Sequence, residues 1–139
     1  MARAAAPAFL AGGTINPSRF MKHSTSANHT LLESDANEPV IGISSEAAQD
    51  APIPGAGADA AASGEALKGY FLGDVCPLEL GGDVVAGDYL KSDADGKGVA
   101  AATTGTTMQH VGAIALSAGA SGNKILVQIV IFKFIPALS

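Results

Sequence analysis

Between Gly87 and Ile131 the chain alternates short apolar runs with turn residues, and no run carries apolar side chains at helical spacing. Turn signals recur about every eight to twelve residues, the punctuation of an antiparallel β-meander. The run Gly87-Asp88-Tyr89-Leu90-Lys91 enters Ser92-Asp93-Ala94-Asp95-Gly96-Lys97, where Asp-Gly combines a side-chain acceptor with freedom at positive φ. A second run surrounds Val99. A third, Val111-Gly112-Ala113-Ile114-Ala115-Leu116, follows a Thr/Gly linker, and a small-residue turn at Ser117 to Asn123 leads into Lys124 to Ile131.

That final run is apolar on both faces. Period-two alternation sets Ile125, Val127, Ile129 and Ile131 on one side, and Leu126, Val130, Phe132 and Phe134 with Gln128 on the other. A strand of this kind is expected to be covered on both sides. In so small a domain the second cover is expected from another subunit or from the amino-terminal arm. Left bare, it is an aggregation hazard.

The first half has a similar order. Arg19 to His23 predicts a strand, Ser24 to Asn28 a turn, and His29 to Glu33 the return strand. Pro39-Val40-Ile41-Gly42-Ile43-Ser44 predicts another strand, whose central Gly42 marks a bulge or a close backbone approach. Phe20-Met21-Lys22 matches Tyr89-Leu90-Lys91 at an offset of 69 residues, and Gly42 matches Gly112 at an offset of 70. Each half therefore reads as strand, turn, strand, loop and glycine-containing strand, which suggests an internal duplication. Leu67 to Val75 and Leu78 to Leu80 complete the expected strands.

Residues 1–18 have no periodicity and are expected to form an extended arm, with Phe9, Leu10 and Ile15 as anchors for a neighbour. The arm's apolar opening is short, Ala-rich and broken by Pro7, unlike a secretory leader. Residues 19–139 are expected to form a single β-domain, barrel-like or sandwich, of short antiparallel strands. Within it, the Ala/Gly/Pro-rich stretch 49–66 is expected to be a surface loop, because Pro52 and Pro54 disfavour helix before them and no apolar stripe follows.

Composition narrows the function. The chain is 47% hydrophobic but only 5% aromatic, without Trp, so much of its apolar content is Ala, which buries little area. Stability borrowed from partners is the expected consequence. A net charge of −5 gives no general attraction for nucleic acid. No segment is long and apolar enough to predict a membrane span, and a soluble protein is expected. The single cysteine, Cys76, excludes an intrachain disulfide and is expected to be a small buried hydrophobe.

Candidate chemistry is sparse. Gly55-Ala56-Gly57-Ala58-Asp59-Ala60, with Asp74 downstream, formally fits a relaxed dinucleotide fingerprint, but prolines stand where its delivering strand should be. Asp93-Ala94-Asp95-Gly96 opens like a calcium loop, yet Thr104 occupies the place of its twelfth-position carboxylate. His23, His29 and His110 show no third-ligand pattern for a metal, and no Ser or Thr sits in a nucleophile turn. No catalytic, cofactor-binding or metal residue is assigned.

The stretches Arg19-Phe20-Met21-Lys22, Ala36 to Ile43, Ala86 to Lys97 and Val111 to Leu116, followed by a last apolar strand, resemble the head decoration, or cement, proteins of tailed bacteriophages. The resemblance spans residues 19 to 131. It implies a mainly β domain, often trimeric, that binds the major capsid protein on the virion's outer surface and reinforces the shell. On that reading Phe9, Leu10, Ile15, Phe132 and Phe134 are capsid or subunit contacts, and no cofactor, nucleic acid or membrane is involved. The arm before Arg19 and the chain beyond Ile131 lie outside the resembling stretch. A phage tail or fibre component, a secreted β-rich adhesion module and a small enzyme are the rival expectations.

Overall fold

The computed structural model describes residues 9–26, 28–45, 66–67 and 69–136. They form eleven strands: β1 Phe9–Ala11, β2 Phe20–His23, β3 Thr30–Glu33, β4 Gly42–Ser44, β5 Ala66–Leu67, β6 Gly69–Tyr70, β7 Val75–Glu79, β8 Tyr89–Ser92, β9 Gly98–Ala100, β10 Gln109–Ala115 and β11 Lys124–Phe134. A six-stranded sheet has the order β5-β1-β3-β2-β4-β6, and a five-stranded sheet the order β7-β11-β10-β8-β9. The expected mainly β fold is present. Most of the expected 49–66 loop and all of the 55–60 glycine motif lie outside the described residues.

Turn chemistry works as expected in the β8–β9 hairpin. Asp93 Oδ1 accepts from the amides of Asp95 at 2.8 Å and Lys97 at 2.9 Å, while Gly96 takes φ of 80°. The same turn ties the sheets together: the Phe20 amide donates to the Gly96 carbonyl at 2.7 Å, and Arg19 donates to the Asp95 carbonyl at 2.9 Å. Glu79 draws in Arg19 at 3.5 Å and Lys97 at 3.6 Å. Asn37, at φ of 54°, bridges the halves by donating to the Met108 carbonyl and accepting from the His110 amide.

The repeated sequence becomes a repeated pairing. In the first sheet β3-β2-β4 places Phe20 opposite Ile43 and Met21 opposite Gly42. In the second, β9-β8-β10 places Tyr89 opposite Ile114 and Leu90 opposite Ala113. The two units stack in the same sense rather than as mirror images. Phe20 and Ile43 enter the core between the sheets, and so do Leu90 and Ala113 from the second unit. Met21 instead points away, into a smaller cluster with Ala11, Ile15 and Leu31, flanked by Phe9, Ile41 and Phe71.

That second cluster corrects the expected boundary at residue 18. Residues 1–8 lie outside the described residues, but residues 9–18 belong to the domain. β1 lies between β5 and β3, parallel to β3, and the amides of Leu10 and Gly12 donate to His29 and Leu31 carbonyls at 2.8 Å. Ile15 is fully buried. Residues 9–18 therefore cover the outer face of the first sheet. Three further boundaries shift. β4 starts only at Gly42, a turn at Phe71 to Asp74 separates β6 from β7, and β1–β3 is a parallel pair in an otherwise antiparallel set.

Cys76 is buried in the main core. Burial first, and the nearby Asp74 charge second, push its thiol up to about 12. A raised acid pKa favours the native thiol below the unfolded value of about 8.5, and that advantage fades as pH climbs toward the folded value. The expected result is no reaction with a thiol reagent at pH 8 until urea unfolds the chain. Stability should also decline progressively above about pH 8.5. Rapid native-state labelling would show that the strand pair around Cys76 opens readily.

Candidate interaction face

β11 is eleven residues long, and its halves differ. From Lys124 to Gln128 it pairs with β7, and from Val127 onward with β10, with Ile125 and Val127 in the core. Its register with β10 then slips: Ala113 faces Ile129, yet Val111 faces Phe132, so β11 holds one extra residue there. A bulge of this kind re-aims the side chains beyond it. Ile131, expected on the same side as Ile125, is consequently 43% exposed while Ile125 is buried. Phe132 and Phe134 join Tyr89 in an aromatic group, with Tyr89 and Phe132 edge-to-face at 5.0 Å between centroids.

The outer face of the second sheet is thus apolar and open. Tyr89, Leu116, Leu126 and Phe132 are all substantially exposed, Leu126 the most at 54%. Val75 extends the patch along β7 at 51%. Cross-strand partners share a face, so Tyr89, Ile114, Gln128 and Val75 form one row across β8, β10, β11 and β7. The Lys91 ammonium at its margin donates to the side-chain amide oxygen (Oε1) of Gln109 at 2.8 Å. Among the described residues the inner face of β11 is buried and the outer face has no cover.

The duplication gives that face a meaning. By strand pairing Tyr89 and Ile114 correspond to Phe20 and Ile43, Ile114 lying one residue beyond the offset of 70 that aligns Gly42 with Gly112, and the Phe20 face is covered by the second unit. What the first unit buries inside the chain, the second leaves in contact with solvent. Contiguous apolar patches of this type mark association surfaces.

The five contact residues expected from sequence therefore divide. Ile15 is buried and Phe9 packs on Phe71 at 5.6 Å, so both serve the chain's own fold. Leu10 is 43% exposed on β1. Phe132 and Phe134 lie on the open face. Tyr89, Val75, Leu116 and Leu126 were not singled out as contacts, although the match of Tyr89 to Phe20 is the signal that would have found Tyr89.

Elsewhere the chemistry is structural. Among the described residues no three His, Cys, Asp or Glu side chains come together as a metal-binding group. His23 Nδ1 lies 2.7 Å from the Ser24 carbonyl, and His29 occupies the turn at φ of 53°. Lys22 holds Asp35 at 2.6 Å and Glu38 at 2.9 Å; these hydrogen bonds, Asp35 first, raise its pKa. Such exposed pairs contribute little to stability. No helix among the described residues is long and apolar enough to cross a membrane.

No protein-family model and no curated protein matches the chain. Its fold is similar to that of a solved structure, the head fiber gp8.5 N base of bacteriophage phi29, with a TM-score of 0.64 at 15% identity. The likeness covers 88% of this chain and 91% of that one.

Proposed function

We propose that this chain is a structural component of a bacteriophage virion, seated on the outside of the head against the major capsid protein. The observation that carries this reading is the fold likeness to a phage head fiber base over nearly the whole of both chains. The acidic charge suits an outer surface better than contact with packaged DNA. The open apolar face supplies a surface for assembly, and no catalytic role forms part of the proposal. The fold likeness favours the base of a head appendage. The motif resemblance of residues 19 to 131 favours a decoration subunit, and both would occupy the head exterior.

Purified particles distinguish these arrangements. Quantitative mass spectrometry is expected to find the chain in virions, and antibody labelling in electron micrographs to place it on intact heads. Copy numbers comparable with the major capsid protein identify a decoration subunit, and far fewer copies a fibre base. Absence from particles sinks the proposal, and labelling confined to tails removes it from the head.

The open face further supports self-association, with a trimer as the favoured state. Replacing Tyr89 and Phe132 by serine should convert the oligomer to a monomer in light scattering after gel filtration. Both side chains are partly exposed but pack on each other, so the monomer should lose about 1–3 kcal/mol of stability and keep a cooperative transition. A wild-type chain that is already monomeric at micromolar concentration leaves the face to the capsid protein alone.

A further inference from the structure

Where β11 passes its bulge, one of its edges is left open. β7 accompanies it only from Lys124 to Gln128, and the last backbone bonds on that side join Ile129 to Gly73 and Asp74. Beyond them, Val130 to Phe134 has β10 on one side and, among the described residues, no strand on the other. The same end of the β10–β11 ladder borders a cleft of about 300 Å³, walled by Pro39, Val40, Val111, Ile131 and Phe132, with His110 and Lys133 completing its lining. A cleft of this size holds one large apolar side chain with room to spare.

Its polar chemistry has one sign. His110 and Lys133 stand directly opposite each other in the β10–β11 ladder, so both side chains leave the same face. No carboxylate lines the cleft. Among the described residues Lys133 has no ion pair, although the chain as a whole is acidic. A carboxylate entering the cleft therefore meets the Lys133 ammonium and no opposing acid. The open edge adds unpaired backbone donors and acceptors, the means by which an extended segment is held as an added strand.

We propose that this cleft and edge bind an extended segment of a partner chain that carries a large apolar side chain and, within two residues of it, a carboxylate. The apolar group fills the space between Val40 and Ile131, the carboxylate meets the Lys133 ammonium, and the segment's backbone pairs with Val130 to Phe134. This site adjoins the Tyr89 face, sharing Phe132 with it, and does not depend on the virion assignment.

The test uses the full chain with methyl-labelled Val and Ile, titrated with the acetylated, amidated pentapeptide Thr-Leu-Thr-Glu-Thr and with its Gln counterpart. The Glu peptide is expected to shift the Val40, Val111 and Ile131 methyls saturably. The Gln peptide should bind about two- to fivefold more weakly, because the ion pair lost is an exposed one. Lys133→Met should erase the difference between the peptides; the side chain is exposed, so this variant should fold. Equal binding of the two peptides overturns the proposal. So does the absence of shifts up to millimolar peptide, and so do shifts confined to the Leu126 face. Deleting residues 137–139 should leave the cleft methyls unmoved; if they move as they do with peptide, the chain's own tail is the occupant and the proposal fails.

Discussion

Deleting residues 2–16 is expected to abolish the cooperative unfolding transition rather than to release a dispensable arm. The deletion removes β1 with its pairing to β3 and β5, and exposes the Met21 face of the first sheet. It also removes Ile15, which is fully buried. The single substitution Ile15→Ala isolates the packing part. A buried aliphatic side chain cut to Ala costs about 2–5 kcal/mol, and a small domain has about 5–15 kcal/mol in total. Urea denaturation followed by circular dichroism should therefore show a much lower midpoint for Ile15→Ala and no two-state transition for the deletion. A matched substitution, Leu10→Ala, provides the contrast, because Leu10 is largely solvent-facing; a change within about 1 kcal/mol is expected. Should the deletion variant unfold like wild type, residues 9–18 contribute nothing to the domain.

The second large effect is expected from Gly42→Ala. A Cβ there would collide with the Tyr70 carbonyl oxygen of neighbouring β6 and come within 2.8 Å of the Phe71 ring. The nearest atom belongs to backbone within a hydrogen-bonded pair, so relief requires β4 and β6 to separate. Overpacking a core costs typically about 1–3 kcal/mol, and a backbone obstacle puts this position at the upper end or beyond. Gly112→Ala meets the side chains of Val40 and Phe20 instead, the latter at 2.7 Å. Rings and methyls can shift a little where a carbonyl cannot, so the smaller loss is expected there. Gly13→Ala serves as the control, since nothing lies within 4 Å of its added carbon. Equal midpoints for Gly42→Ala and Gly13→Ala would show that β4 and β6 are not held together at this point.

These two experiments separate what local sequence reports from what packing decides. Gly42 was legible: a glycine inside a β-branched run has few uses besides a bulge or a close approach, and a close approach is what it makes. Ile15 was not legible. Its neighbours Gly12, Gly13 and Pro17 give no period, so nothing local distinguishes an anchor for a partner from a side chain folded into its own core. The candidate face lay between these cases. Doubly apolar β11 predicted a surface in need of cover, but the sequence grouped Ile131 with Ile125, Val127 and Ile129, because alternation is counted without knowing where a ladder slips.

By itself the sequence determined the strand and turn grammar. Period-two alternation, Asp-Gly at the β8–β9 turn and recurrent glycines are short-range signals, written in residues a few positions apart. It also carried the duplication, since matching strands keep matching side chains whatever they pack against. Only the tertiary structure decided which face of each unit is buried, that β1 closes the first sheet, and that the bulge opposite Gly112 turns Phe132 and Phe134 toward Tyr89. Each of these depends on contacts between residues far apart in the chain, such as Phe20 with the second sheet or Ile15 with Met21. A strand apolar on both sides is equally content with either face inward, and the choice falls to whichever surface the rest of the chain can cover.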